Sequence, residues 1–199
     1  MRSKSLFWVV FMISVLGIVF FSGCSKNSLT APEVAENPTI EKGVASESIQ
    51  WVQWKQDAVD ALAKKPLWGY DQDKIKREVG GIVGGFMTFN NMVEVPPFAF
   101  EERHRDITVS VVRDNEDENI GAAVDFLPSQ KFDKDVRVTL SYAYLAFDGD
   151  PEDLCVYWLD EESNTWVEVA NSEVNLEVQT ISVYVNHFTR YGWGLNPEP

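Results

Sequence analysis

From Ile75 onward, apolar and polar residues alternate with a period of two. Val136, Val138, Leu140, Tyr142 and Tyr144 alternate with Arg137, Thr139, Ser141 and Ala143, a pattern that buries one face of a strand and wets the other. Ile107, Val109 and Val111 alternate with Thr108 and Ser110, and Ile181, Val183 and Val185 with Ser182, Tyr184 and Asn186. The runs Leu154–Leu159 and Thr165–Val169 flank Asp160-Glu161-Glu162-Ser163-Asn164, which predicts a hairpin with a five-residue loop. Further short strands are expected near 75–79, 86–90, 92–95 and 122–126. At least eight strands punctuated by turn signals predict an all-β fold, an antiparallel β-sandwich spanning residues 70–195.

Before this region the period is different. Trp51, Trp54, Ala58 and Leu62 recur at helical spacing, Lys55, Asp57, Asp60 and Lys64 lie opposite, and Pro66 follows. That predicts an amphipathic helix over 47–66, with its tryptophans docked on the next domain. Residues 24–46 hold prolines and small polar residues without apolar periodicity, which predicts a flexible tether.

Residues 1–23 pattern as a leader. Arg2 and Lys4 precede the apolar run Leu6–Phe21, with no acidic residue among them. Sixteen residues are short for a bilayer-spanning helix. The run ends in Phe21-Ser22-Gly23-Cys24, which resembles the end of a bacterial lipoprotein signal peptide, with Phe21 standing where Leu is usual. The resemblance implies cleavage before Cys24 and acylation of Cys24 by diacylglycerol and palmitate-type chains. It also implies a lipid-anchored cell-envelope location. Ser25 after the cysteine implies the outer membrane if the source is diderm. An uncleaved helical anchor is the alternative.

Composition narrows the function classes. The 199 residues carry 17 Lys and Arg against 31 Asp and Glu, so neither a nucleic-acid partner nor docking on anionic lipid by charge is expected. Two His and two Cys are too few for the usual Cys/His zinc sites. If Cys24 is acylated, Cys155 is left without a partner. Its apolar strand context predicts an inert buried thiol.

Three patches, read in order, point to a family. They are Gly80-Gly81-Ile82-Val83; then Val93-Glu94-Val95-Pro96-Pro97-Phe98-Ala99-Phe100 with Asp106-Ile107-Thr108-Val109; then Val185-Asn186-His187-Phe188-Thr189-Arg190-Tyr191. Together they resemble the ZU-five domain of ankyrins, netrin receptors and zona-occludens proteins and its bacterial surface relatives. The resemblance covers about residues 75–195. It implies a β-sandwich used for protein–protein contact or as a spacer, without an active site. The expected partner is an envelope protein or polymer.

Other chemistry is weighed against this reading. Gly80–Gly85 superficially resembles a phosphate loop but lacks the Lys-Ser/Thr ending and a following helix, so no nucleotide or other cofactor is expected. The acidic runs 114–119 and 148–153 lack a calcium-loop pattern and read as solvated turns. No nucleophile elbow occurs, and His104 sits in a charged, exposed stretch. His187-Phe188-Thr189 matches the self-cleavage triplet of some ZU-five-containing proteins. There, by resemblance, Thr189 would attack the Phe188 carbonyl with His187 as base. The preferred reading keeps the chain intact, with the triplet closing the core. A third possibility is a carbohydrate-binding sandwich using aromatic residues among Trp51, Trp54, Trp68, Trp158, Trp166 and Trp193.

Overall fold

The computed structural model describes residues 43–113 and 120–195. Ten antiparallel strands and one short helix make up this part: β1 (Gln50–Trp51), α1 (Gln56–Lys64), β2 (Tyr70–Lys76), β3 (Gly81–Gly85), β4 (Asn91–Val95), β5 (His104–Val111), β6 (Ala123–Ser141), β7 (Leu154–Asp160), β8 (Thr165–Glu168), β9 (Glu173–Asn175) and β10 (Thr180–Leu195). The predominance of alternating sequence thus yields an all-β body.

Two long strands organise it. The first half of β6 pairs with β5, and its second half pairs with β4. β10 runs antiparallel to β6 throughout, carrying β9 beside its start and β7 and β1 beside its end. The pairings therefore fall into two groups, β2-β5-β6-β10-β7-β8 and β3-β4-β6-β10-β9. β6 and β10 pass from one group to the other. The passage is marked by two register shifts, between Val185 and His187 and between Phe188 and Arg190. At each shift β10 advances two residues while β6 advances five, so β6 bows away from its partner.

Of the residues expected to face inward, Val136, Val138, Leu140 and Tyr142 are buried, but β6 ends at Ser141, itself buried, and Tyr144 lies half-buried beyond it. Ile107, Val109, Val111, Ile181, Val183 and Val185 join them in one apolar cluster with Val83 and Val93. That cluster draws on both strand groups.

Several expectations need correction. The helix predicted over 47–66 is confined to Gln56–Lys64. Upstream, the backbone is claimed by the sheet: Val52 donates to the Trp193 carbonyl at 2.9 Å and accepts from Ala122 at 2.7 Å. These long-range bonds outcompete a helix too short to stand alone. The segment fits because two glycines make room; a Cβ on Gly192 would lie 2.9 Å from the Trp51 ring, and one on Gly121 only 2.2 Å from the Val52 carbonyl oxygen. Trp51 and Trp54 consequently face different neighbours, Trp166 and Tyr157 for the first and Trp193 and Phe89 for the second. Of the flexible tether expected over 24–46, the described part is not free, since Val44 and Trp166 exchange two backbone hydrogen bonds of 2.8 Å. Residues 86–90 are not a strand. Phe86–Thr88 form a single 3₁₀ turn, with Phe89 and Asn90 at positive φ. Residues 1–42, including Cys24 and the leader, and the acidic run 114–119 lie outside the described residues.

Candidate functional site

Where β10 passes between the strand groups, a groove of about 500 Å³ opens. Its walls are Ser129–Lys131 of β6, Trp158–Asp160 of β7 with the following turn, and Asn186–Thr189 of β10. The register shifts create it, because strands that bow apart cannot close their side chains over one another. The His187-Phe188-Thr189 triplet forms its floor and one side.

The alternation that buries Ile181, Val183 and Val185 breaks at the register shift, and Phe188, three residues after Val185, also points inward. Its ring is 2% exposed and meets Phe126 and Phe132 at 5.8 and 4.5 Å between centroids. Tyr191 is fully buried and donates its hydroxyl to the His187 carbonyl at 3.1 Å, bracing the strand across the shift.

Thr189 donates its hydroxyl to the Leu159 carbonyl at 2.7 Å, with a carboxylate oxygen of Glu161 at 3.3 Å. That same oxygen accepts from the Ser129 hydroxyl at 2.7 Å. Glu161 therefore ties three chain segments together. His187 does not join this set. Its Nδ1 lies 3.2 Å from the Asn186 amide oxygen, its ring stands edge-on to Trp158, and its Nε2 is buried without a hydrogen-bond partner. Burial holds the imidazole pKa below its ordinary value, helped by Lys131 and opposed by Asp160. A neutral ring is suited to accept a proton, but the Thr189 hydroxyl points to Leu159 instead. Neither Phe188 nor Thr189 has a positive φ.

The wall residues carry mixed chemistry. The Asp160 carboxyl is held below its usual range, chiefly by the Ser163 hydroxyl and the Glu162 backbone. Gln130 Nε2 is buried and unpartnered, like His187 Nε2. Trp158 is half-buried and presents apolar surface beside these polar groups. Trp51, Trp54 and Trp68 are also half-buried, whereas Trp166 and Trp193 are buried in the core. The sequence offered no signal for Ser129 and Glu161, which meet across 32 positions.

The remaining candidates lie elsewhere. Gly81–Gly85 form β3, with Gly84 at φ 98° where a Cβ would strike the Asn91 carbonyl. Close strand approach accounts for that glycine. Asp150 caps the turn Pro151–Asp153 by accepting from the Glu152 amide. Among the described residues, no group of three or more His, Cys, Asp and Glu side chains is placed to hold a metal ion. Cys155 is half-buried, and its thiol pKa is pushed up to about 12, first by burial and then by the Glu168 carboxylate. It is the opposite of an activated nucleophile. His104 lies exposed on β5. Among the described residues, no helix is long and apolar enough to cross a membrane.

Comparison with known proteins gives no match, either to a family model or to a curated protein.

Proposed function

We propose that this chain is a cell-envelope lipoprotein, anchored through acylated Cys24, whose β-rich body is a ZU-five-like sandwich. It presents a surface to an envelope protein or polymer, or holds a spacing from the membrane, and is not an enzyme. The observation that carries this reading is the run from Arg2 through Leu6–Phe21 to Ser22-Gly23-Cys24. Small residues give a peptidase access to the bond before the cysteine, and several acyl chains hold far better than one. Two strand groups sharing one apolar cluster support the sandwich. The Thr189 hydroxyl, committed to Leu159 and Glu161, supports a chain that stays intact at Phe188.

Membrane fractionation with labelled fatty acid tests the anchor. Cys24→Ala should abolish label incorporation and either release the protein or leave an unprocessed precursor. Equal label and equal fractionation in the variant would overturn the lipoprotein reading.

The groove favours one second reading, a small polar ligand such as a saccharide stacked on Trp158. Saccharide titration followed by tryptophan fluorescence tests it; a saturable change lost in Trp158→Ala would support it, and a flat response would remove it.

A further inference from the structure

Two turns at one end of the β-body bring exposed large apolar side chains together. The turn after α1 presents Leu67, 75% exposed, and the turn after β3 presents Phe86, 69% exposed, with Met87 beside it. Trp68 joins the two. Its ring meets Phe86 at 5.6 Å and rests on the core through Phe89 at 5.8 Å, while Gly69 donates to the Met87 carbonyl at 2.7 Å. The Lys65 ammonium sits 3.7 Å over the Trp68 ring.

Neither turn is loose. The Arg113 guanidinium donates to the carbonyls of Leu62, Pro66 and Trp68, stapling the first. In the second, buried Thr88 donates to the Gly85 carbonyl, and the Asn91 amide donates to the Thr88 carbonyl. Exposed Arg113 in the first turn, and buried Thr88 and Asn91 in the second, thus hold apolar side chains out in solvent. An exposed apolar cluster on a fixed frame marks a contact surface.

We propose that Leu67, Phe86 and Met87 form a foot that dips into a phospholipid bilayer. The inference rests on the reading of Cys24 as the anchor. The foot is three side chains on two adjoining turns, small enough to insert between head groups. Trp68 and Lys65 have the chemistry of the interface, an indole suited to head-group level with an ammonium on an apolar stem held over its ring. Reach permits it: about twenty residues separate Cys24 from Gly43, a contour of up to ~70 Å. The chain leaves the described body beside β8, whereas β2, the strand that Leu67 precedes, lies at the other end of the same strand order. Five strand spacings of ~4.8 Å separate those two edges, about 24 Å. The tether also makes docking intramolecular, so weak insertion suffices. Because the protein is acidic, this contact is apolar in origin and does not strengthen with anionic lipid.

The test uses the full-length acylated protein reconstituted into phosphatidylcholine vesicles. An environment-sensitive fluorophore is attached at Leu67→Cys or, as reference, at Val79→Cys, at the opposite end of β3. A blue shift, a several-fold rise in emission and quenching by brominated lipid are expected at position 67 and not at 79. Adding Phe86→Ser and Met87→Ser should remove them while co-sedimentation persists and the far-ultraviolet spectrum is unchanged. Vesicle-bound protein with a water-like spectrum at position 67 overturns the foot alone. A concentration-dependent shift at 67 without vesicles, matched in their presence, assigns the surface to a second copy and overturns it too. Protein that fails to co-sediment yet shifts at 67 at high lipid keeps the foot and overturns the anchor.

Discussion

The two halves of β10 face the same partner strand and yet meet it differently. From Thr180 to Val185 every residue has a consecutive partner on β6, and Ile181 and Val183 are completely buried opposite Leu140 and Val138. From Val185 to Arg190 two register shifts interrupt the ladder, and a groove with two unpartnered buried nitrogens lies beside it. The first half is held by apolar burial that any alternating sequence provides. The second is held by particular side chains: Phe188 in an aromatic cluster, Tyr191 on the His187 carbonyl, Thr189 on the Leu159 carbonyl. Regular pairing tolerates exchange of like for like, whereas a bulged passage depends on individual hydrogen bonds.

The sharpest way to break the regular half is Leu140→Asp. It buries an unpaired carboxylate opposite Ile181 and should cost about 5 kcal/mol or more, read as loss of a cooperative urea transition. A midpoint shift of a few tenths of a molar would mean that this face is not the core. In the bulged half, Phe188→Ala empties the aromatic cluster and should cost about 3–5 kcal/mol, by the same measurement. Thr189→Ala strands the Leu159 carbonyl and should cost about 1–3 kcal/mol. Denaturing mass spectrometry should find both wild type and Thr189→Ala uncleaved after Phe188. A wild-type species ending at Phe188 that vanishes in Thr189→Ala would replace this comparison with an autoproteolytic one. The smallest effect is in pH. Because the His187 pKa is lowered in the folded protein, the unfolded chain binds the proton first. Its stabilising share is complete above the ordinary value of 6.5 and is lost as pH falls from there through the folded value. His187→Gln should flatten the stability profile across that window, measured by urea titration at successive pH values.

What the sequence made legible follows the same division. Strict alternation exposed the regular halves of β6 and β10, and the Asp160–Asn164 punctuation located the β7–β8 turn, although Asp160 pairs with Thr165 and shortens the expected five-residue loop by one. β2 begins five residues before the expected strand because Tyr-Asp-Gln-Asp-Lys leaves only Ile75 fully buried. An edge strand needs little apolar alternation, so its backbone pairing with β5 goes unannounced. The Trp51–Leu62 stripe misled for the reverse reason. Its spacing is helical and Ala58 and Leu62 do lie on the helix, but upstream Val52 makes its backbone bonds with Trp193 and Ala122, far along the chain. In the groove, the triplet His187-Phe188-Thr189 was visible as residue types. Its hydrogen-bonding arrangement depends on Ser129 and Glu161, which no local pattern connects to it.

The exchange of hydrogen bonds between Val44 and Trp166 has a mechanical meaning. If residues 24–42 act as the proposed tether, a pull on it reaches the described body at Val44. Here that residue is clamped by two 2.8 Å bonds to β8, an edge strand. Next along the chain come the pairing of Gln50 and Trp51 with the end of β10, and Trp51 wedged between Trp166 and Tyr157. Tension would therefore be taken up in series, the clamp yielding before the core is loaded. Opening it would lengthen the tether by the few residues from Gly43 to Ile49 while β10 stayed paired with β6. Under the proposed anchoring, Gly43–Ile49 would give the protein a short slack at the point of attachment.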